Sequence, residues 1–167
     1  KLYGENIVDL LMKICKYYHD LGFHKIIYKP VPYIYHKKPF QDDLYALFRI
    51  GAYKYRCDIS ATIDLQHGKI KFNKLRKRMI KRAEKEEVKV VTNISFIEEF
   101  WKVLSDNLKQ KYDTKPVHTI EEIKELIERF PNEIRCKFAI HKGSVVGGIV
   151  LFLSKNVCHV QYISNNE

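Results

Sequence analysis

Five lysine and arginine side chains in the segment 71–86, KFNKLRKRMIKRAEKE, have a spacing that could bind phosphate groups. The cations that would share one face of a helix at 3.6 residues per turn are Lys74, Lys77, Arg78, Lys81 and Lys85. Residues 69–89 hold 10 basic and 3 acidic side chains, so they supply most of the formal net charge of +10. Such a stripe suits phosphate binding, binding of an anionic substrate, or simple solvation of a helix face.

A nonenzymatic nucleic-acid-binding module is one interpretation of this stripe. Its cations would then neutralise phosphates, and the affinity would fall steeply with salt. The rest of the sequence does not extend the pattern, because residues 90–167 hold 10 basic and 10 acidic side chains. A uniformly basic nucleic-acid-binding protein would spread its charge over a whole face. Because the charge here is confined to one helix, an enzyme and a helix that is only solvated stay open as alternatives.

Other classes of protein are disfavoured by what the sequence lacks. The four cysteines, Cys15, Cys57, Cys136 and Cys158, form no CxxC pair, so neither a zinc site nor a disulfide framework is indicated. We expect buried, reduced thiols in a cytoplasmic protein. No apolar run reaches the roughly 18 residues of a membrane span, no charged start followed by an apolar stretch marks a secretion signal, and no metal-ligand spacing occurs. The chain has no initiator methionine and stops after a strand-like pattern, so we expect a piece of a longer protein.

Two further features could belong to a site. His118 in KPVHT directly precedes a capping threonine. It could face a substrate cleft, although a role in starting the helix is favoured.

Gly147 and Gly148 lie inside an apolar run. Glycines there indicate a bulge, a twist point or a place where another group, which could be a ligand, comes close to the backbone.

The elements that must position these residues follow from apolar periodicity and turn residues. The first 65 residues predict a helix, an interrupted edge strand, a short helix and an alternating strand, at 5–22, 24–36, 41–50 and 53–65. The basic helix follows. The remainder predicts a strand, two helices and a three-stranded antiparallel meander, at 88–93, 96–112, 120–130, 134–140, 145–154 and 157–164. The fold class is therefore α+β, with a mixed, mostly antiparallel sheet flanked by helices.

This order of elements resembles the GNAT superfamily of acyltransferases. A strand, two helices and a three-stranded meander form the opening half of the GNAT fold, and the order before residue 70 is similar to the closing half of another copy. The segments that carry the likeness are YKPVPYIYH, DDLYALFR, KFNKLRKRMIKRAEKE, KPVHTIEEI, FAIHKGSVVGGIVLF and HVQYI. Over nearly the whole chain they resemble tandem-GNAT proteins related to the Fem-type (FemAB-like) peptidoglycan aminoacyltransferases.

The resemblance implies a domain organisation. Residues 1–70 would be the C-terminal part of a first GNAT-like unit, residues 71–87 a basic connecting helix, and residues 88–167 the N-terminal part of a second unit. Glu87 occupies a position where such proteins often have glycine. The sequence contains no Gly-rich loop for the pyrophosphate of acetyl-CoA, so we expect this piece to be inactive alone.

The resemblance also implies a chemistry. A GNAT-type N-acetyltransferase would move an acetyl group from acetyl-CoA to an amine of a small metabolite or cell-envelope precursor, with a splayed strand holding the pantetheine arm. The matching strand is 157–164, where Gln161, Tyr162 and Ile163 would bind the cofactor. Tyr162 or His159 would be the catalytic acid or base, although simple alternation puts these two on opposite faces and either could only close a packed sheet.

The acceptor and the donor remain open at this stage. His118 and the cations Lys77, Arg78 and Lys81 are the candidate contacts to a substrate or anion. A Fem-like variant would take its acyl group from a charged tRNA, which the basic helix could then bind. The enzyme is preferred over a nonenzymatic nucleic-acid binder, because a phosphate-binding helix leaves the other elements unexplained.

Overall fold

The chain divides between Asp64 and Leu65 into a first unit and a second unit. We describe a computed structural model that covers residues 3–66, 68 and 70–166. The second unit begins at Leu65, slightly before the end predicted for the first unit at residue 70. It includes the basic helix. The assignment of these units to halves of two GNAT-like copies stays a prediction.

The first unit is built on two helices, α1 (Glu5–Asp20) and α2 (Asp42–Arg49). Its core consists of Ile7, Val8 and Ala46, and an ion pair of 2.8 Å between Arg49 and Glu5 joins the two helices at the surface. Both helices were predicted from their apolar stripes. A core of three buried side chains is small, so little apolar burial stabilises this unit.

The two strands predicted in the first unit are wrong. Residues 24–36 are irregular apart from a short 3-10 helix, Tyr33–Tyr35, and residues 53–63 form no helix and belong to no described sheet. Pro30 has no N–H to donate to a strand ladder, which explains why residues 24–36 form no strand. Residues 53–63 have the side-chain alternation of a strand, but a strand forms only against a partner backbone. Ile59 is accordingly 99% exposed.

The second unit contains one four-stranded antiparallel sheet in the order β1–β2–β3–β4. Its strands are β1 (Lys89–Val91), β2 (Ile134–His141), β3 (Ser144–Leu153) and β4 (Cys158–Asn165). The expectation of an α+β chain with a mostly antiparallel sheet is confirmed. The parallel pair that a mixed sheet would add does not occur among the described residues.

Two helices, α4 (Ile97–Tyr112) and α5 (Ile120–Arg129), pack on one face of the sheet. The fully buried centre of the core is made by α4, α5, β2 and β3; its largest side chains are Phe100, Phe138, Ile97, Ile123 and Val150. Thr119 and Glu122 form the predicted capping box that starts α5. Ser95 and Glu98 also have the spacing of a capping box, but none forms at α4, because the Asn93 side chain accepts the Ser95 N–H and a 3-10 turn precedes the helix.

The basic helix is α3 (Lys74–Lys85). Asn73 Oδ1 accepts the Arg76 N–H at its start. At its end Glu87 has φ of 57°, and the Glu87 and Val88 N–H groups donate to the carbonyls of Glu84 and Ala83. This is a Schellman motif with a left-handed residue, where glycine is the usual choice. Glu87 therefore fills a position whose backbone favours glycine.

The cysteines are all free, and only Cys136 is buried, whereas Cys57 and Cys158 are exposed and Cys15 is partly buried. The expectation of buried thiols is thus wrong for the exposed pair. Burial raises the pKa of the Cys136 thiol to about 11. Because the thiolate is the nucleophile, this thiol has little reactive form below that pH.

Iodoacetamide at about pH 8.5 should therefore alkylate Cys57 and Cys158 quickly and leave Cys136 unmodified in the folded protein. Peptide mass spectrometry of time points checks this order. In denaturant Cys136 should react like the others, and equal rates for Cys136 and Cys158 in the folded state would contradict the burial of β2.

Candidate functional site

A bulge interrupts β4 at Gln161. Val150 of β3 lies opposite Tyr162, and the next residue, Leu151, lies opposite Val160, so Gln161 is the extra residue. The extra residue of a bulge is left out of the hydrogen-bonded ladder, and the strand bends there. Backbone groups of Gln161 are therefore available for a ligand within the strand that the sequence singled out.

β4 is also the last strand of the sheet among the described residues. The outer side of an edge strand presents backbone N–H and C=O groups that no ladder uses. The bulge and the edge together make this strand a backbone binding surface.

The bulge changes which side chains of β4 share a face. Tyr162 lies opposite Val150 and His159 lies opposite Phe152, and these two β3 residues are two apart, so they point to the same side of the sheet. His159 and Tyr162 consequently share the face that α4 covers. Simple alternation had put them on opposite faces, and that prediction is wrong because it could not include the extra residue.

Ile163 points to the opposite face of the sheet and is 69% exposed. Its neighbours on that face include Val160, which is 46% exposed. The three residues predicted to bind the cofactor therefore divide into a bulge residue, Gln161, a buried one, Tyr162, and an exposed one, Ile163.

The hydroxyl of Tyr162 contacts His118 twice. The His118 N–H donates to Tyr162 Oη over 3.2 Å, and His118 Nδ1 lies 2.6 Å from the same oxygen. In the arrangement that uses every group, Oη–H donates to Nδ1 and the imidazole proton resides on Nε2. Two candidate residues that stand 44 positions apart in the chain are thus brought into one hydrogen-bonded pair.

The surroundings of this pair hold it in place. The Tyr162 ring is 7% exposed and meets Trp101 of α4 edge-on, with 5.0 Å between the ring centroids. His118 directly precedes Thr119, whose capping box fixes the start of α5. His118 therefore lies at a helix start, which is the interpretation that the sequence favoured, and it also contacts a buried side chain of β4. Its role at a substrate cleft stays a prediction.

Asn107 is a residue of this region that the sequence analysis missed. Its Nδ2 donates to Ser164 Oγ over 2.8 Å and to the Asn165 carbonyl over 2.6 Å. These bonds tie the end of β4 to α4. An asparagine inside a helical stripe is a weak signal, and only the partner strand 57 residues away gives it a role.

The remaining candidate contacts are not part of this cluster. Lys77, Arg78 and Lys81 lie on α3 and are exposed. Among the described residues, no hydrogen bond or ion pair joins an α3 cation to His118 or to β4. The structure brings Tyr162 and His118 together and leaves the cations on a separate surface.

Two cavities in the chain do not coincide with β4. One of about 520 Å³ in the first unit is lined by residues 36–42 and Tyr33, and one of about 340 Å³ in the second unit lies beside Thr92, Ile127 and Cys136. Neither includes Tyr162 or Gln161. The candidate site is therefore the edge of β4 together with the buried hydroxyl of Tyr162. It is a better candidate than either cavity because it contains the bulge at Gln161 and the Tyr162–His118 pair.

Within the described ranges no three histidine, cysteine or acidic side chains are grouped so that they could hold a metal ion. None of the helices described is long and apolar enough to cross a bilayer. The chain matches no protein-family model, and no curated protein matches it either. The geometry of β4 and its partners is consequently the ground for assigning a function.

Proposed function

We propose that this chain is part of a GNAT-type N-acyltransferase that transfers an acetyl group from acetyl-CoA to an amine of a small metabolite or cell-envelope precursor. The observation that supports this most is the bulge at Gln161. It occurs in the last strand of a strand, two-helix, three-strand order that starts at β1. That order and that strand are the ones the GNAT resemblance selects.

The strand edge suits the pantetheine arm of an acyl-CoA. The arm is an extended chain with two amide groups, which need backbone donors and acceptors rather than a deep pocket. The bulge residue Gln161 and the outer edge of β4 offer such groups. No Gly-rich segment for the pyrophosphate occurs in the sequence, so the fit covers the arm and not the whole cofactor.

The paired hydroxyl of Tyr162 suits a general acid. Attack of the amine on the thioester carbonyl breaks the C–S bond, and the departing sulfur needs a proton. Tyr162 Oη–H could supply it in the other tautomer of His118, in which Nδ1–H donates to Oη, holds the hydroxyl in place and leaves the hydroxyl proton for the sulfur. His159 shares this face and is exposed, so it is the second candidate for proton transfer to or from the amine.

A Fem-like transferase, which takes its acyl group from a charged tRNA, is the second candidate function. The exposed cations Lys77, Arg78 and Lys81 favour it, because phosphates of RNA bind such side chains in a salt-dependent way. A nonenzymatic nucleic-acid binder would use the same cations but would leave the bulge and the Tyr162–His118 pair without a role.

Titration of millimolar acetyl-CoA into isotope-labelled protein, followed by backbone amide NMR, tests the first proposal. The amides of Gln161, Tyr162 and Ile163 should shift most. Gln161→Ala, which keeps the backbone, should preserve these shifts. Gln161→Pro, which removes the N–H at a position where an edge bulge tolerates proline, should weaken binding at least tenfold.

Adenosine 3′,5′-bisphosphate is the matched control, because it carries phosphates and no pantetheine arm. Shifts on β4 with acetyl-CoA but not with this nucleotide support the proposal. Shifts confined to α3 with both compounds would sink it, and retention of unacylated tRNA at low but not high salt would then favour the Fem-like alternative.

A further inference from the structure

The basic helix α3 also exposes an apolar stripe. The side chains of this stripe on the helix, with their exposed fractions, are Leu75 at 55%, Met79 at 56% and Ile80 at 39%, and Phe72 at 55% directly precedes the N-cap Asn73. No residue of α3 is buried. The structure leaves both the apolar side and the cationic side of the helix accessible within the second unit. A helix that only needed solvation would not carry such a stripe.

The cations of α3 have little local compensation. Arg82 pairs with Glu86 over 2.9 Å, and in the described part of the chain no other acidic side chain forms an ion pair with this helix. That bond raises the pKa of Arg82 and lowers the pKa of Glu86. The remaining cations, Lys74, Arg76, Lys77, Arg78, Lys81 and Lys85, are available to an anionic partner.

The charges of α3 do not serve the helix itself. Its first turn contains Lys74, Arg76 and Lys77 and no acidic residue, although the positive end of the helix dipole favours acidic side chains there. A helix of 12 residues is marginal by itself. An anionic partner at the cationic face, with an apolar environment at the stripe, would stabilise it.

We propose that α3 lies along an anionic lipid surface. A short helix with a cationic face, an apolar face and low overall hydrophobicity is the pattern of an interfacial helix. Phe72, Leu75 and Met79 would enter the boundary between headgroups and acyl chains. Arg76 lies four positions before Ile80, so helical spacing places it among the apolar side chains. Its long side chain and those of the lysines can reach lipid phosphates from the sides of the helix.

RNA explains less of this surface than lipid does. Phosphates of a nucleic acid would use the cations and leave three half-exposed apolar side chains in water. A lipid surface uses both faces of the helix. The inference goes beyond the proposed acyltransfer and does not depend on it, because β4 and α3 share no described hydrogen bond or ion pair.

Co-sedimentation with vesicles tests the inference. The protein should bind vesicles of phosphatidylcholine that contain phosphatidylglycerol, at least tenfold more tightly than vesicles of phosphatidylcholine alone, and less tightly as salt rises. Binding should fall at least tenfold both in the stripe variant Phe72→Gln/Leu75→Gln/Met79→Gln and in a cation variant. The cation variant changes the five residues Lys74, Lys77, Arg78, Lys81 and Lys85 to glutamine.

A matched control removes five exposed cations elsewhere in the second unit, Lys109, Lys111, Lys115, Lys142 and Lys155, and should bind vesicles like the unchanged protein. Circular dichroism and the emission of the buried Trp101 show whether each variant is folded. Absence of binding to the anionic vesicles at low salt overturns the proposal. So does binding that the stripe variant retains in full, because the apolar face would then have no role.

Transfer RNA is the second probe in the same series. Retention of tRNA that the cation variant loses and the stripe variant keeps, together with no vesicle binding, would overturn the lipid proposal and assign the helix to RNA. Failure here leaves the amide shifts of β4 with acetyl-CoA unaffected, so the two proposals can fail separately.

Discussion

Replacing Phe100 with alanine is expected to lower the free energy of unfolding of the second unit by about 3–5 kcal/mol. Phe100 is fully buried. Its ring lies 5.7 Å from that of Phe138 and 6.5 Å from that of Trp101, measured between centroids. Truncation removes these contacts and leaves a cavity between α4 and β3, where the backbone of Gly148 also approaches the ring.

Urea denaturation followed by Trp101 emission measures this loss, because Trp101 is the only tryptophan of the chain and lies in the same core. Tyr112→Ala is the control in the same helix, since that side chain is 72% exposed. It should change the free energy of unfolding by less than about 0.5 kcal/mol. A loss below about 1 kcal/mol for Phe100→Ala would contradict the packing of α4 on the sheet.

Local signals in the sequence predicted the elements of the second unit. The capping box at Thr119, the apolar stripe of α4 and the short turns between β2, β3 and β4 each depend on residues a few positions apart. Such features form in the same way wherever the segment lies. The strands of the meander could therefore be placed to within about two residues at each end.

The segment 53–65 shows where local pattern fails. Alternation of Tyr53, Tyr55 and Ile59 fits one face of a strand, yet these side chains are 78%, 65% and 99% exposed. A strand owes its stability to a neighbouring backbone, and the sequence of the segment does not contain that information. Alternation alone was therefore not enough to predict a paired strand at residues 53–65.

The candidate site was predicted in part. Both members of the Tyr162–His118 pair were selected from the sequence, His118 by its place before the capping threonine and Tyr162 by the GNAT resemblance. Their contact could not be predicted, because it depends on the register of β4 against β3 and on the packing of α5. The same register shift at Gln161 reversed the expected face of His159, since one extra residue exchanges the two faces of a strand.

Substitution of Gly148 is the second change expected to lower the free energy of unfolding strongly. The pair of glycines in the sequence indicated that another group could lie close to the backbone here. A Cβ at this position would lie 2.7 Å from Phe100 Cδ2 and 3.0 Å from the Lys137 carbonyl oxygen. The approach is therefore to the protein's own helix and neighbouring strand, and no ligand is needed to explain this glycine. Gly147 is similarly close to the Ser164 carbonyl oxygen, at 2.9 Å.

Gly148→Ala is consequently expected to lower the free energy of unfolding by about 1–3 kcal/mol, because either the Phe100 ring or the β2–β3 ladder must move. Ser144→Ala, an exposed change in the same strand, should be nearly neutral. The same urea transitions measure both variants.

The double variant Gly148→Ala/Phe100→Leu separates the two sources of crowding at this glycine. A smaller side chain at position 100 relieves the contact with the new methyl group, whereas the Lys137 carbonyl belongs to the ladder and cannot retreat. The cost of the alanine should therefore fall, but not vanish, when Phe100 is already leucine, with a coupling of about 0.5–2 kcal/mol. Strict additivity would place the strain in the ladder alone. It would also mean that α4 can shift away from β3 without loss, which would contradict the close packing that holds Trp101 against Tyr162 behind the bulge.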